Sequence, residues 1–347
     1  MAARKILPIA EPDITSYAHF AFFLSVLYTD TDALRWVYSN FIPLSMKDFS
    51  GSKWVDYYTQ TPYDHLVPSL IGSVHLTRKM ILRQSPSFAD FVRNSIEDGY
   101  YVSTNVDEFY IPGTAAYQNR SNLHGLFIHG YDDESRKFHV TGFLANQRYG
   151  GTVVDYEAME QAFRELEPED DYHFTVYTHL FKLNPKHKPN YDFKVPWVME
   201  QLEDYWLAKP SDRRMQAFEE RQTATCLWGM DIYDGLILQI ERHIDKEAIL
   251  DHRPFHVLWE HKRMMNRRLA YMEQKGFYVC SPEAAEGFRN VEKSALVNRN
   301  LILKYWMSSD NRNLEQLAER LGRLKSEESL VIERLLNEYE DSLRAGD

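Results

Sequence analysis

The stretch that decides the fold is residues 100–143, YYVSTNVDEFYIPGTAAYQNRSNLHGLFIHGYDDESRKFHVTGF. β-Branched and aromatic runs, punctuated by Gly, Pro, Asn and Asp, predict three short strands over 101–106, 123–129 and 137–140. The first ends in the acidic pair Asp107–Glu108 and runs into an aromatic turn, FYIPG. The second carries His124 near its start, and the tight turn GYDD at 130–133 leads into the third. A histidine at the start of a strand, outside the apolar middle of a sheet, is where an enzyme can expose an imidazole. The same place also suits a histidine that makes one hydrogen bond and nothing more.

Outward from this stretch, residues 14–28 read as a helix apolar on nearly every side, hence a buried one. Asp30 or Thr31 caps a second helix over 33–41. Residues 47–62 read as irregular, and 66–83 fit strand and helix equally. Pro86 and Ser87 open a helix to Glu97 that stops at Gly99. Behind the turn expected at Gly150–Gly151, a short amphipathic helix covers 156–165, and a strand follows over 173–183.

Composition changes after the basic, proline-punctuated link at 184–196. From there the pattern reads as helix over 197–207, 213–222, 227–244, 253–275, 282–307 and 313–343. The expectation is therefore an α+β domain over 1–190 and a helical domain over 191–347. A helix in an α+β domain buries its stripe on one face of a sheet. The 14–28 helix is the candidate, its N-terminal end sharing a cleft with the His124 strand.

With 347 residues the chain can bury a sizeable core. A net charge of −11 argues against nucleic acid, which needs a basic footprint, and against an anionic membrane surface. Only Cys226 and Cys280 occur, which excludes a disulfide framework and a cysteine-rich metal site. Pro8 and Pro12 break the N-terminal stretch before any leader-like apolar segment develops, and the expected location is the cytoplasm.

No glycine-rich phosphate loop, His-Glu-x-x-His or Gly-x-Ser-x-Gly is present. His252, His256 and His261 cluster, but His256 and His261 are five apart and do not share the helix face a zinc pair needs. Helix packing is the expected role there. Cys226 lies among apolar neighbours and Cys280 before a helix start; neither has the cation that would activate a thiol.

The segment HGLFIHGYDDESRKFHV looks like the histidine strand of papain-superfamily folds. More closely, the chain resembles the butirosin biosynthesis protein H family, papain-like proteins akin to bacteriocin-processing peptidases and found in antibiotic and nonribosomal-peptide gene clusters. YYVSTNVDEFYIP looks like that family's strand before the histidine, and LSVLY and WVYSNFI like its N-terminal helices. DHRPFHVLWEHKRMMNRRLAYM and LVNRNLILKYW look like its helical C-terminal segments.

The resemblance implies a papain-like fold and acyl or amide-bond transfer from a carrier-bound thioester to a small-molecule amine. The thioester would sit on the phosphopantetheine of a partner acyl or peptidyl carrier protein, with no cofactor of the chain's own. It gives His124 the role of general base. The family's cysteine, at the start of the first buried helix, falls at or near Ala18, with Ser16 and His19 as neighbouring candidates. The residue that orients the imidazole falls at Gly142, which has no side chain, leaving Asn146 or Asp107 as substitutes.

Two further readings stay open: a non-catalytic scaffold that binds a carrier or synthetase, and a hydrolase of misloaded thioesters. Carrier proteins are acidic, so docking needs a basic cluster on this acidic chain. The candidates are residues 182–188 (KLNPKHK) and the helix face with Lys262, Arg263, Arg267 and Arg268.

Overall fold

The computed structural model describes residues 3–49, 51–59, 70–145, 148–165, 177–184, 192–214 and 226–346. Contacts divide the chain into two units, 1–34 with 60–190, and 35–59 with 191–347. In chain order the elements begin with β1 (Arg4–Ile6), α1 (Ala18–Leu27), α2 (Leu34–Ser39), β2 (Leu44–Phe49) and β3 (Ser52–Tyr57). Next come β4 (Ile71–Thr77), α3 (Arg78–Gln84), α4 (Phe88–Glu97), β5 (Tyr101–Asp107), β6 (Leu123–Asp132) and β7 (Lys137–Phe143). Then follow β8 (Tyr149–Asp155), α5 (Tyr156–Arg164), β9 (Tyr177–Leu183), α6 (Val195–Trp206) and β10 (Leu227–Trp228). The chain closes with α7 (Ile232–Ile244), α8 (Arg253–Gln274), α9 (Pro282–Ser308) and α10 (Arg312–Gly346).

The first unit is built on an antiparallel sheet in the order β4-β9-β5-β6-β7-β8, with β1 pairing on β6. One face is covered by α4 and α5. Val102, Val106, Leu126, Ile128, Phe138 and Val140 from the strands meet Phe88, Val92, Ile96, Met159 and Phe163 there. Each such burial contributes about 1.5–3 kcal/mol. Ser87 starts α4 by accepting the Asp90 N–H at 3.0 Å. The opposite face receives α1, whose residues from Phe20 to Leu27 are all buried. Phe22 stacks on Phe127 with ring centroids 5.2 Å apart.

The second unit contains helices α6 to α10 and a small antiparallel sheet in the order β10-β2-β3. Residues 35–59 belong to it because α8 holds their backbone. The wholly buried Arg268 guanidinium donates to the carbonyls of Tyr38 (2.7 Å), Asn40 (2.6 Å) and Phe41 (3.2 Å). His261 Nε2 lies 2.8 Å from Ile42 O. The second unit thus begins before residue 191 and is not wholly helical. Residues 47–49 and 52–57, within the stretch expected as irregular, belong to the paired strands β2 and β3. The helix expected from 227 is preceded by β10 and a 3₁₀ turn, and the glycine pair at 150–151 lies within β8 rather than in a turn. Most of the helix expected over 213–222 lies outside the described residues. Among the described residues no helix is long and apolar enough to cross a membrane.

Candidate active site

His124 stands at the second position of β6 and pairs with Val106 of β5. Its side chain is 37% exposed, and its Nδ1 lies 3.1 Å from Oε1 of Glu108, a carboxylate only 10% exposed. The contact is close but is not an aligned N–H···O hydrogen bond. The other Glu108 oxygen accepts the Asn122 side-chain amide at 2.6 Å, and Glu108 N–H donates to Asn122 O at 2.9 Å. The ring of Phe143 meets the imidazole edge-on at 5.6 Å. A carboxylate fixed by a neighbouring amide beside a solvent-reaching imidazole sets an acceptor within reach of the ring, which a small turn of the imidazole would engage.

Strand alternation explains why Glu108 and not Asp107 is the acid at the histidine. Val106, paired with His124, faces the α4–α5 side together with Leu126. Two residues on, Glu108 lies on that same side, and Asp107 faces away. Asp107 is instead a structural cap. Its Oδ1 accepts the N–H groups of Phe109 (2.9 Å) and Asn122 (3.0 Å), and its Oδ2 accepts the Ser121 hydroxyl at 2.7 Å. Burial pushes its carboxyl up, but these three hydrogen bonds outweigh that and hold it below the ordinary carboxylate range. Glu108 was missed at the sequence level. The pairing of Val106 with His124 is the signal that finds it.

The same alternation locates Ala18. A side chain built on Gly125 would meet Phe22 at 3.3 Å and the Ala18 methyl at 3.6 Å, so Gly125 faces the start of α1. His124 precedes it on β6, with its ring against Phe143, which in turn packs on Tyr149. The start of α1 thus lies beside the segment of β6 that carries the imidazole, and the side chain at position 18 is only a methyl. Ser16, buried, and His19, stacked on Tyr17 with centroids 5.4 Å apart, sit with Ala18 at the start of α1. Gly142 leaves space that Leu126 fills, at 3.0 Å from where a Cβ would stand. Asn146 lies outside the described residues.

The remaining candidates resolve as structure. Lys262 and Arg268 are buried, so the face with Arg263 and Arg267 is not a continuous basic surface. Of the 182–188 cluster, Lys182 donates to Asp98 O at the end of α4 at 2.5 Å, and residues 185–188 lie outside the described residues. His256 is engaged by Glu260 at 3.0 Å and by the Arg299 guanidinium at 2.9 Å. Among the described residues no group of three His, Cys, Asp or Glu side chains could hold a metal ion. Burial pushes the thiols of Cys226 and Cys280 up, away from a reactive thiolate. Comparison of the chain with protein-family models and with curated proteins found no match.

Proposed function

We propose that the chain is an acyl-transfer protein in which His124, steadied by Glu108, acts as general base without a protein nucleophile. The observation that carries this reading is the half-exposed imidazole with Nδ1 3.1 Å from a nearly buried carboxylate. The substrates implied by the resemblance are a thioester on a carrier's phosphopantetheine and a small amine. The amine nitrogen attacks the thioester carbon as its proton passes to His124 Nε2. The C–N bond forms, the C–S bond breaks, and the departing thiolate takes the proton back from the imidazolium. Ala18 at the start of α1 has no part in such a step, and alignment of the two reactants supplies most of the acceleration, up to roughly 7–11 kcal/mol.

The test is a single-turnover incubation of the protein with an acyl-loaded carrier and an amine, followed by mass spectrometry of the carrier and the product. Amide formation that falls at least tenfold in His124→Gln and in Glu108→Gln supports the reading. Release of free acid assigns hydrolysis instead. One observation favours a second reading, a non-catalytic carrier-binding protein: the start of α1, beside Gly125, carries only the methyl of Ala18 where the resemblance puts its cysteine. An intact thioester with measurable carrier binding would select it.

A further inference from the structure

β8 is an edge of the seven-stranded sheet, and among the described residues no strand pairs on its outer side. Its polarity can be read from its two ends. Leu144 N–H donates to Arg148 O, and Tyr156 N–H donates to Arg136 O, each at 3.0 Å. The β7–β8 register is unbroken between these points, so hydrogen-bonded pairs recur at every second residue. Gly150, Thr152 and Val154 turn their backbone groups to β7. Tyr149, Gly151, Val153 and Asp155 turn theirs outward.

That outer row is open to solvent: Gly151 and Asp155 are exposed, and Val153 is 42% exposed. Edge strands are ordinarily blunted by lysine, proline, a bulge or an inward charge. The segment Tyr149–Asp155, YGGTVVD, has none of these along its length, and its single charge stands at the last position.

We infer that β8 is the contact strand of a homodimer, pairing antiparallel with its own copy about a two-fold axis at Thr152. This register is self-complementary. Gly151 falls opposite Val153 of the partner subunit, and Tyr149 opposite Asp155 of the partner subunit. Each of these pairs uses the outward N–H and C=O groups and exchanges two hydrogen bonds. Every valine of one copy meets a glycine of the other, because Val154 falls opposite Gly150 of the partner subunit. The two threonines meet on the axis as a non-hydrogen-bonded pair, where threonine side chains pair favourably. The two copies of Asp155 are held at opposite ends of the ladder, each beside its own Lys137 at 3.8 Å. Slipping the register by one residue would set outward groups against inward ones and lose the ladder. The proposal is independent of the acyl-transfer reading.

The test is sedimentation velocity on the full chain from nanomolar to high micromolar concentration, paired with amide hydrogen exchange. A particle of twice 41.0 kDa is expected at high concentration. The amides of Gly151 and Val153 should be protected there and exchange freely on dilution. Val153→Lys places a charge against Gly151 of the partner subunit, and Gly151→Pro deletes an outward donor while sparing the β7 ladder. Both are expected to give monomers with unchanged circular dichroism. A wild-type monomer throughout overturns the proposal. So does a dimer whose Gly151 and Val153 amides exchange no more slowly than in dilute solution, a readout that needs no variant to fold.

Discussion

Replacing Glu328 with alanine is expected to be among the most destabilising single changes in the second unit. Glu328 and Lys262 are each 1% exposed, and their Oε1 and Nζ are 2.5 Å apart. Lys262 also donates to the Tyr205 hydroxyl at 2.7 Å and lies 3.1 Å from His261 Nδ1. Because His261 Nε2 donates to Ile42 O, its Nδ1 is the lone pair that faces the ammonium. The second Glu328 oxygen accepts Tyr233 OH at 2.7 Å and Tyr205 OH at 3.3 Å.

Alanine strands a buried ammonium, at about 3–5 kcal/mol, and leaves the Tyr233 hydroxyl without its acceptor at a further ~1–3 kcal/mol. Part is recovered because burial already lowers the Lys262 pKa against the opposing pull of Glu328. Without the carboxylate the lysine sheds its proton more readily. A net loss of roughly 4 kcal/mol follows, against a typical domain stability of about 5–15 kcal/mol. The loss should shrink as pH rises and Lys262 becomes neutral in the variant.

All seven tryptophans, Trp36, Trp54, Trp197, Trp206, Trp228, Trp259 and Trp306, lie in the second unit. Urea unfolding followed by tryptophan fluorescence therefore reports that unit alone. The double change Lys262→Met with Glu328→Leu should be far milder, within about 2 kcal/mol of wild type, since no charge is left buried. A loss below about 1 kcal/mol for Glu328→Ala, or a double variant as damaged as the single, would refute the electrostatic argument.

Burial pushes His129 down to about 4, with His139 adding to the effect. The unfolded chain takes up this proton near pH 6.5, so stability is full above that value and is lost as pH falls toward 4. The loss is about 3 kcal/mol at most, and His129→Leu should flatten that part of a circular dichroism pH titration. Gly229→Ala should cost more than Gly235→Ala when compared by tryptophan-monitored unfolding. A Cβ at Gly229 would stand 2.0 Å from the backbone oxygen of Tyr205 at φ +49, whereas one at Gly235 meets the movable ends of Met46 and Leu227. Ser87→Ala, which removes the cap of α4, should cost about 1 kcal/mol in the first unit, read by circular dichroism.

The α+β character and the strands around His124 were legible because β-branched and aromatic residues alternate there between clear turn signals. The long C-terminal helices were legible for the complementary reason, a sustained helical period ended by caps. Other elements were hidden by their chemistry. The β2–β3 hairpin carries Ser, Lys, Asp and Trp on a partly exposed sheet and so lacks a clean apolar alternation. β8 contains Gly150 and Gly151, residues depleted in strands and enriched in turns. The membership of residues 35–59 depends on Arg268 and His261, more than two hundred positions away, and no local pattern contains that information. At the candidate site His124 was legible as an exposed strand-start histidine. Its acid was not, because choosing between Asp107 and Glu108 requires the cross-strand register.

That register links the acid to the missing nucleophile. The pairing of Val106 with His124 turns Glu108 toward the imidazole and Asp107 away from it. It equally sets Gly125, the next residue, against Ala18 and Phe22 of α1. A helix-start nucleophile would have to reach the imidazole from beside Gly125, and position 18 carries only a methyl. Under the proposed reading the nucleophile then comes from outside the chain, as in direct attack by an amine or by water.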